Sequence, residues 1–310
     1  MSRPRLLLIV GPTGVGKSAL AMELAVGCGG EGEILSADSI QVYRGMDIGS
    51  AKPNAADRAR VPHHCIDLCD PCQPFDVAQY QRHARRAVEE IHGRGRKVLV
   101  VGGSGLYLGT FLGPVTDAVV IDPKIRREVE EIFLQKGLAG LLAALDGLHH
   151  QPPTCLDRSN AHRVMRALER CLATGLEVAT LRRMFQSQPG HFADCSIRTV
   201  LLDCPDHSLR PRLIRRIDAM LAAGFVEEVE ALRAKGFEAN SSACRAVGYR
   251  EVLQFLDGTV SRANLAERIY CATVALVRRQ RTWFRHQIPI DRRCQVDELP
   301  PLASFFDLLD

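Results

Sequence analysis

The 310-residue sequence predicts an α/β fold, a parallel sheet core with a mostly helical insertion domain. Three observations carry that reading. Short apolar runs alternate with helix-patterned stretches through the first hundred residues, the order of a parallel sheet with crossover helices. Loops rich in glycine and hydroxyls follow three of those runs. From 121 to about 175 the pattern turns to helix after helix, without an apolar run of strand length.

The first strand is expected at 6–10 (LLLIV), and the loop GPTGVGKS follows at once. Its Gly-x-x-x-x-Gly-Lys-Ser spacing, between a strand and a helix, is that of a phosphate-binding loop. Gly11, Pro12, Thr13, Gly14, Val15 and Gly16 would turn backbone N–H groups inward. Lys17 would neutralise the terminal phosphate and Ser18 would hold Mg²⁺. The core is therefore expected to be P-loop NTPase-like. Further strands are expected at 33–37, 98–101 and 199–203, with a helix over VAQYQRHARRAVEEIHGRG between the second and third. Asp122-Pro123 starts a helix that Gly137 interrupts, and another, over SNAHRVMRALERCLATG, stops at Gly175. A helical block is expected from about 207 to 235, and a long basic helix ends at HQ, 286–287. The core thus comprises 1–115 and 191–310, and the helical insertion 116–190.

Composition excludes several classes. Hydrophobic and charged fractions of 46% and 25% are those of a soluble globular chain. No apolar run approaches the roughly 18–20 residues of a membrane span. The start, MSRPRLLLIV, imitates a signal peptide, but a buried first strand explains it better. Eleven cysteines beside a phosphate loop read as free thiols in a reducing cytoplasm. Cys65, Cys69 and Cys72 have the C-x-x-x-C-x-x-C spacing of an iron–sulfur site. With a complete phosphate loop upstream they are read instead as incidental, beside a short strand and an Asp70-Pro71 turn. Net charge is only +4, so the arrangement of basic residues says more than their number.

Asp38 follows a strand at the ligand edge, where a carboxylate can bind metal or act as general base. Helix capping by Asp38 or Ser39 is an equal alternative. Ser104 follows the glycines of VVGGSGLYL and offers a hydroxyl beside a close backbone approach; an ordinary strand-to-helix turn is the alternative. Arg163, Arg166 and Arg170 share one helix face, as do Arg212 and Arg216. Arg278, Arg281 and Arg285 form a third stripe, close to Trp283. Each stripe alone is an ordinary solvated face, but three together favour a phosphate backbone. Arg245, Gly248, Tyr249 and Arg250 suit stacking on unpaired bases, unless Tyr249 packs in the core.

These motifs together resemble the isopentenyltransferase family that modifies tRNA. GPTGVGKS, ADSIQVYRGMDIGSAKP, VPHHCIDLCDP, VGGSGLYL, RVMRALE, RRIDAMLAAGFVEEVEAL, CRAVGYRE and RRQRTWFR occur in family order over residues 6–285. The resemblance implies a prenyltransferase. It would transfer dimethylallyl from its diphosphate to N6 of adenosine 37, beside the anticodon, in tRNAs reading codons that begin with U. Lys17 and Arg216 would hold the diphosphate, Asp38 would take the N6 proton, and Ser18 and Ser104 would support Mg²⁺ and the leaving group. The implied tRNA contacts are Asp38, Ser39, Ile40, Gln41, Ser104 and Arg126. With them go His162, Arg163, Val164, Met165 and Arg166, then Arg245, Ala246, Val247, Gly248, Tyr249 and Arg250. The last set is Val274, Ala275, Leu276, Val277, Arg278, Arg279, Gln280 and Arg281. A cytoplasmic monomer is expected. Ser18 and Ser104 replace the usual Thr but keep the hydroxyl. Val274 and Ala275 stand where Arg and Gln are common, and Asn160 where Asp is usual. These departures bear on tRNA affinity more than on chemistry. Transfer to free AMP, a P-loop small-molecule kinase using ATP, and a non-catalytic RNA-binding protein stay open as rivals.

Overall fold

The computed structural model describes residues 3–27, 31–117, 119–149 and 151–308. The chain divides into two compact units, one from 1–115 with 190–310, the other Thr116–Pro189. In the first, β1 (Arg5–Val10), β2 (Gly32–Ala37), β3 (His63–His64), β4 (Lys97–Gly102), β5 (Ser196–Asp203) and β6 (Arg292–Gln295) form one sheet. Its order is β3-β2-β4-β1-β5-β6, and every pairing is parallel.

Both faces of the sheet are covered, which is why its inner strands read as unbroken apolar runs. Leu6, Leu8 and Val10 enter the core on one face, with Val98 and Val100. Leu7 and Ile9 enter the other, with Leu99 and Val101. Helices α1 (Lys17–Gly27), α2 (Ala55–Arg60), α3 (Val77–Gly93) and α4 (Gly105–Leu112) belong to this first segment. The start of α3 is fixed by a reciprocal cap: Asp76 accepts from the Gln79 N–H while Gln79 accepts from that of Asp76. Two edge strands are short or little buried; the one beside Cys65 was expected as a short strand, whereas β6 escaped the sequence pattern. β3 has only two residues, and β6 (RRCQ) buries only Cys294.

The second unit is helical: α5 (Pro123–Asp146), α6 (Ala161–Thr174) and α7 (Val178–Gln186). Gly137 breaks α5 as expected, at φ 59° and ψ −155°. Asn160 caps α6 by accepting from the Arg163 N–H at 3.2 Å, so it does the work of the more usual Asp. Gly175 ends α6 in the left-handed conformation. Val129, Leu141, Leu145, Val164, Leu168 and Cys171 form this unit's own core.

The chain returns to the first unit at Gly190, and after β5 it forms α8 (Asp206–Ala222), α9 (Phe225–Ala234), α10 (Ser241–Cys244), α11 (Tyr249–Leu256), α12 (Arg262–Gln287) and α13 (Ala303–Phe306). The helical block expected at 207–235 is two helices, separated at left-handed Gly224. No described helix is long and apolar enough to cross a membrane.

Candidate functional site

Because β2, β4 and β1 are neighbours and parallel, the loops after them leave one edge of the sheet together. The loop after β1 is the phosphate loop. Gly11 has φ +154°, and a Cβ there would lie 2.1 Å from the Leu202 carbonyl oxygen of β5. Only glycine permits so close an approach. Lys17 opens α1, so the helix directs its first N–H groups at the loop. The Lys17 ammonium donates to the Pro12 carbonyl at 2.8 Å. Burial lowers its pKa to about 8; Asp38 opposes that shift and Arg216 adds to it.

After β2, Asp38 accepts from the Ile40 N–H at 2.8 Å and so closes a turn. No helix follows there, so the helix-capping alternative is corrected. After β4, Ser104 precedes α4 but makes no capping bond to it. Its hydroxyl accepts from the Ser39 N–H at 2.9 Å and donates to Ser39 Oγ at 3.2 Å. The two loops are thereby tied side by side. From α8, Arg216 reaches the same place. Burial lowers its pKa, Asp38 opposes that, and it forms no ion pair among the described residues.

Two cavities adjoin here, sharing Thr13, Asp38, Ser50, Gly103, Arg216 and Gln280 in their walls. One, of about 520 Å³, opens onto Lys17, Ser18 and Arg212. The other, of about 610 Å³, is lined by apolar groups including Leu213, Ile217, Met220, Leu276 and Trp283. Gln280 of α12 spans both. Its Oε1 accepts from the Thr13 N–H at 2.9 Å, and its Nε2 donates to the Gly103 carbonyl at 2.9 Å. The site therefore offers an anion cradle, a carboxylate and an apolar hollow in direct succession.

A family model described as "IPP transferase" matches residues 41–287, and one described as "Isopentenyl transferase" matches 4–67. A tRNA dimethylallyltransferase of Opitutus terrae is 46% identical over 98% of this chain and 97% of its own. The chain belongs to the IPP transferase family. A tRNA dimethylallyltransferase 1 of Trichlorobacter lovleyi is 40% identical over 92% of each chain. The crystal structure of the full-length tRNA isopentenylpyrophosphate transferase of Bacillus halodurans matches with a TM-score of 0.69. It is 31% identical, over 99% of this chain and 94% of that one. A eukaryotic dimethylallyltransferase acting on tRNA shares the fold, with a TM-score of 0.76 at 24% identity, over 94% and 74% of the two chains.

Within this IPP transferase, several expected RNA-facing side chains have internal duties. Arg281 donates to Asp203 at 2.9 and 3.1 Å, to Asp206 at 2.5 Å and to the Cys204 carbonyl at 2.6 Å. With Gln280 it pins α12 to the loop edge. Val277 is buried and Val274 packs against the same core, so apolar residues suit this stretch of α12. Tyr249 corrects the base-stacking expectation. It is fully buried, meets Phe225 edge-on at 5.0 Å and donates its hydroxyl to Glu228 at 2.8 Å. Arg250 pairs with the buried Glu251. Arg245, Ala246, Val247 and Gly248 line the apolar cavity, as do Leu276 and Arg279. Ala275 is half-buried and Arg278 exposed. Gln41 lines the phosphate-side cavity, and Ser39 and Ile40 the apolar one.

In the helical unit, Arg126, His162, Arg163 and Arg166 are exposed, Met165 is half-buried and Val164 is buried. Its arginine stripe is engaged: Arg163 with Asp157 at 3.3 Å, Arg166 with Glu169 at 2.7 Å, Arg170 with Asp117 at 2.6 Å. Buried Cys65 has its thiol pushed up to about 12 by burial, while Cys72 is exposed. Among the described residues, no three His, Cys, Asp or Glu side chains are grouped to hold a metal. Hard-oxygen donors lining the phosphate side include the Ser18 and Thr13 hydroxyls and the Asp38 and Asp57 carboxylates. That set suits Mg²⁺, which keeps most of its shell from water and phosphate oxygens.

Two residues went unread in the sequence. Lys52 is buried and bridges Asp47 and Asp67 at 2.6 and 2.7 Å. Glu228 grips the turn at 47–49. A lysine inside GSAKP was a visible signal for the first; nothing local marks the second.

Proposed function

We propose that this IPP transferase is a tRNA dimethylallyltransferase, joining a dimethylallyl group to N6 of adenosine 37 beside the anticodon. The observation that carries the reading is the succession Lys17–Asp38–apolar hollow, on two cavities that share Asp38 and Arg216. The donor's diphosphate lies in the phosphate-side cavity. Lys17, Arg216 and the loop N–H groups balance the charge that builds as it departs. Adenine N6 attacks the first carbon of the dimethylallyl group, the carbon–oxygen bond breaks with its electron pair going to diphosphate, and the N6 proton passes to Asp38. The proton transfer matters because the exocyclic nitrogen shares its lone pair with the ring and is a poor nucleophile. Ser104 fixes the neighbouring turn through Ser39. Mg²⁺, held by Ser18 and diphosphate oxygens, would supply further positive charge to the leaving group.

The base leaves its stack to enter the apolar side, at a few kcal/mol, less from a loop than from a duplex. Exposed Arg126, His162 and Arg163, and Arg278 and Arg279 of α12, support contact with the RNA backbone. The expected setting is a cytoplasmic monomer acting on tRNAs that read codons beginning with U. Incubation with labelled dimethylallyl diphosphate and unmodified tRNA transcripts should label the RNA at that adenosine. Labelled AMP without labelled tRNA would assign the chain to free nucleotides instead. No transfer by folded protein would refute prenyl transfer.

A further inference from the structure

The segment after the catalytic turn is unusual. Ala51 holds φ 48°, a left-handed conformation that is strained for a non-glycine residue and persists only where its surroundings hold it. The turn before it is imposed from outside. The Glu228 carboxylate, on α9, accepts from the Asp47 and Ile48 N–H groups at 3.0 and 2.6 Å, and from Gly49 at 3.2 Å. One of those same oxygens accepts the Tyr249 hydroxyl at 2.8 Å. Four donors thus meet on one side chain, and a charged acceptor makes each bond stronger than a neutral one.

What Glu228 joins is informative. Gly49 and Ser50 belong to the wall of the apolar cavity, and so does the stretch from Arg245 to Tyr249. The Ser50 and Ala51 carbonyls accept from Gln41 Nε2 at 3.3 Å, and Gln41 Oε1 accepts from Ser36 Oγ at 2.8 Å. The grip on the turn therefore continues, through Gln41, to the segment that carries Asp38. Among the described residues the phosphate loop has no hydrogen bond to this set; Gln280 ties it instead.

We propose that Glu228 is a positioning residue for the acceptor, fixing the Gly49–Ser50 wall of the apolar cavity against the wall that ends at Tyr249. This rests on the apolar side being where the base enters. Glu228 touches neither substrate; it acts through the turn and through Tyr249. Replacing one carboxylate oxygen by an amide nitrogen sets a donor against donors and releases part of the turn.

The test is steady-state kinetics of the full chain, varying an unmodified tRNA transcript and dimethylallyl diphosphate separately. Glu228→Gln should raise the KM for tRNA about tenfold and leave the KM for the diphosphate within about twofold. Glu227→Gln, which changes the neighbouring charge alone, should leave both unchanged. A purely structural role would lower kcat, through a smaller folded fraction, and leave both KM values alone. That outcome, or an equal rise in both, overturns the proposal. Wild-type enzyme run in parallel separates the two readings: absence of transfer there refutes the function, whereas a flat tRNA KM in the variant refutes only the role of Glu228.

Discussion

The two sides of Asp38 are built by different means. On the phosphate side the anion cradle itself is one contiguous stretch, residues 11–18, shaped by its own glycines, although Gln41, the 50–53 segment, Arg212 and Arg216 complete the cavity around it. The apolar side is assembled from the 38–50 segment, the 245–249 segment and helices α8, α4 and α12. No short stretch of the chain encodes it. Distant side chains act as its ties, Arg281 and Glu228 among them, while Gln280 ties both sides. The difference teaches that a charged cradle for a small anion can be local, while a hollow shaped for a base must be tertiary.

The largest expected effect breaks the boundary itself. Asp38→Asn keeps an oxygen for the Ile40 N–H but cannot take a proton. It should lower kcat about 10³-fold in single-turnover transfer while tRNA affinity, read by filter binding, stays within about twofold. A rate within tenfold of wild type would move the general base elsewhere.

Next comes the phosphate side alone. Lys17→Ala should cost about 10²-fold in kcat/KM for the diphosphate. In the intact enzyme, a Lys17 pKa of about 8 means that the cation is present below that pH and is lost above it. The KM for the diphosphate should therefore climb as pH rises through 8, approaching tenfold per unit, while the KM for tRNA stays flat. Lys17→Arg should remove that inflection; its persistence would assign the titration to another group.

Gln280 belongs to both sides, so its loss should blur the distinction. Gln280→Ala strands the Thr13 N–H and the Gly103 carbonyl, and about a tenfold fall in kcat/KM is expected for both substrates. An effect confined to one substrate would show that the two loops move independently.

The smallest effect concerns the basic face of α12. Arg278→Ala should weaken tRNA binding about threefold at moderate salt and reduce the salt slope by about one. Arg281→Ala should act differently, because that guanidinium is already spent on Asp203 and Asp206. It should lower the melting temperature with little change in the slope.

Legibility in the sequence followed the range of the interactions. Strands β1, β2, β4 and β5 were read because each buries consecutive apolar residues on two covered faces. The breaks at Gly137 and Gly175 were read because backbone conformation there is a property of one residue. β6 was missed because it buries a single side chain. Tyr249 misled as a candidate for base stacking because aromatic residues beside glycines look alike whether they face solvent or Phe225. The arginine stripes were equally ambiguous. Spacing shows which guanidinium groups share a face, but not that Arg170 has already found Asp117.

The sequence by itself determined the parallel α/β core, the anion cradle and the position of Asp38 at the ligand edge. Each of these follows from local periodicity or from glycine, lysine and carboxylate at fixed spacing. Only the tertiary structure decided which carboxylates were free to act and which were ties. Asp38 and Glu228 are the same chemical group. What separates them is that one closes a turn open to two cavities, while the other meets four donors brought from two distant parts of the chain.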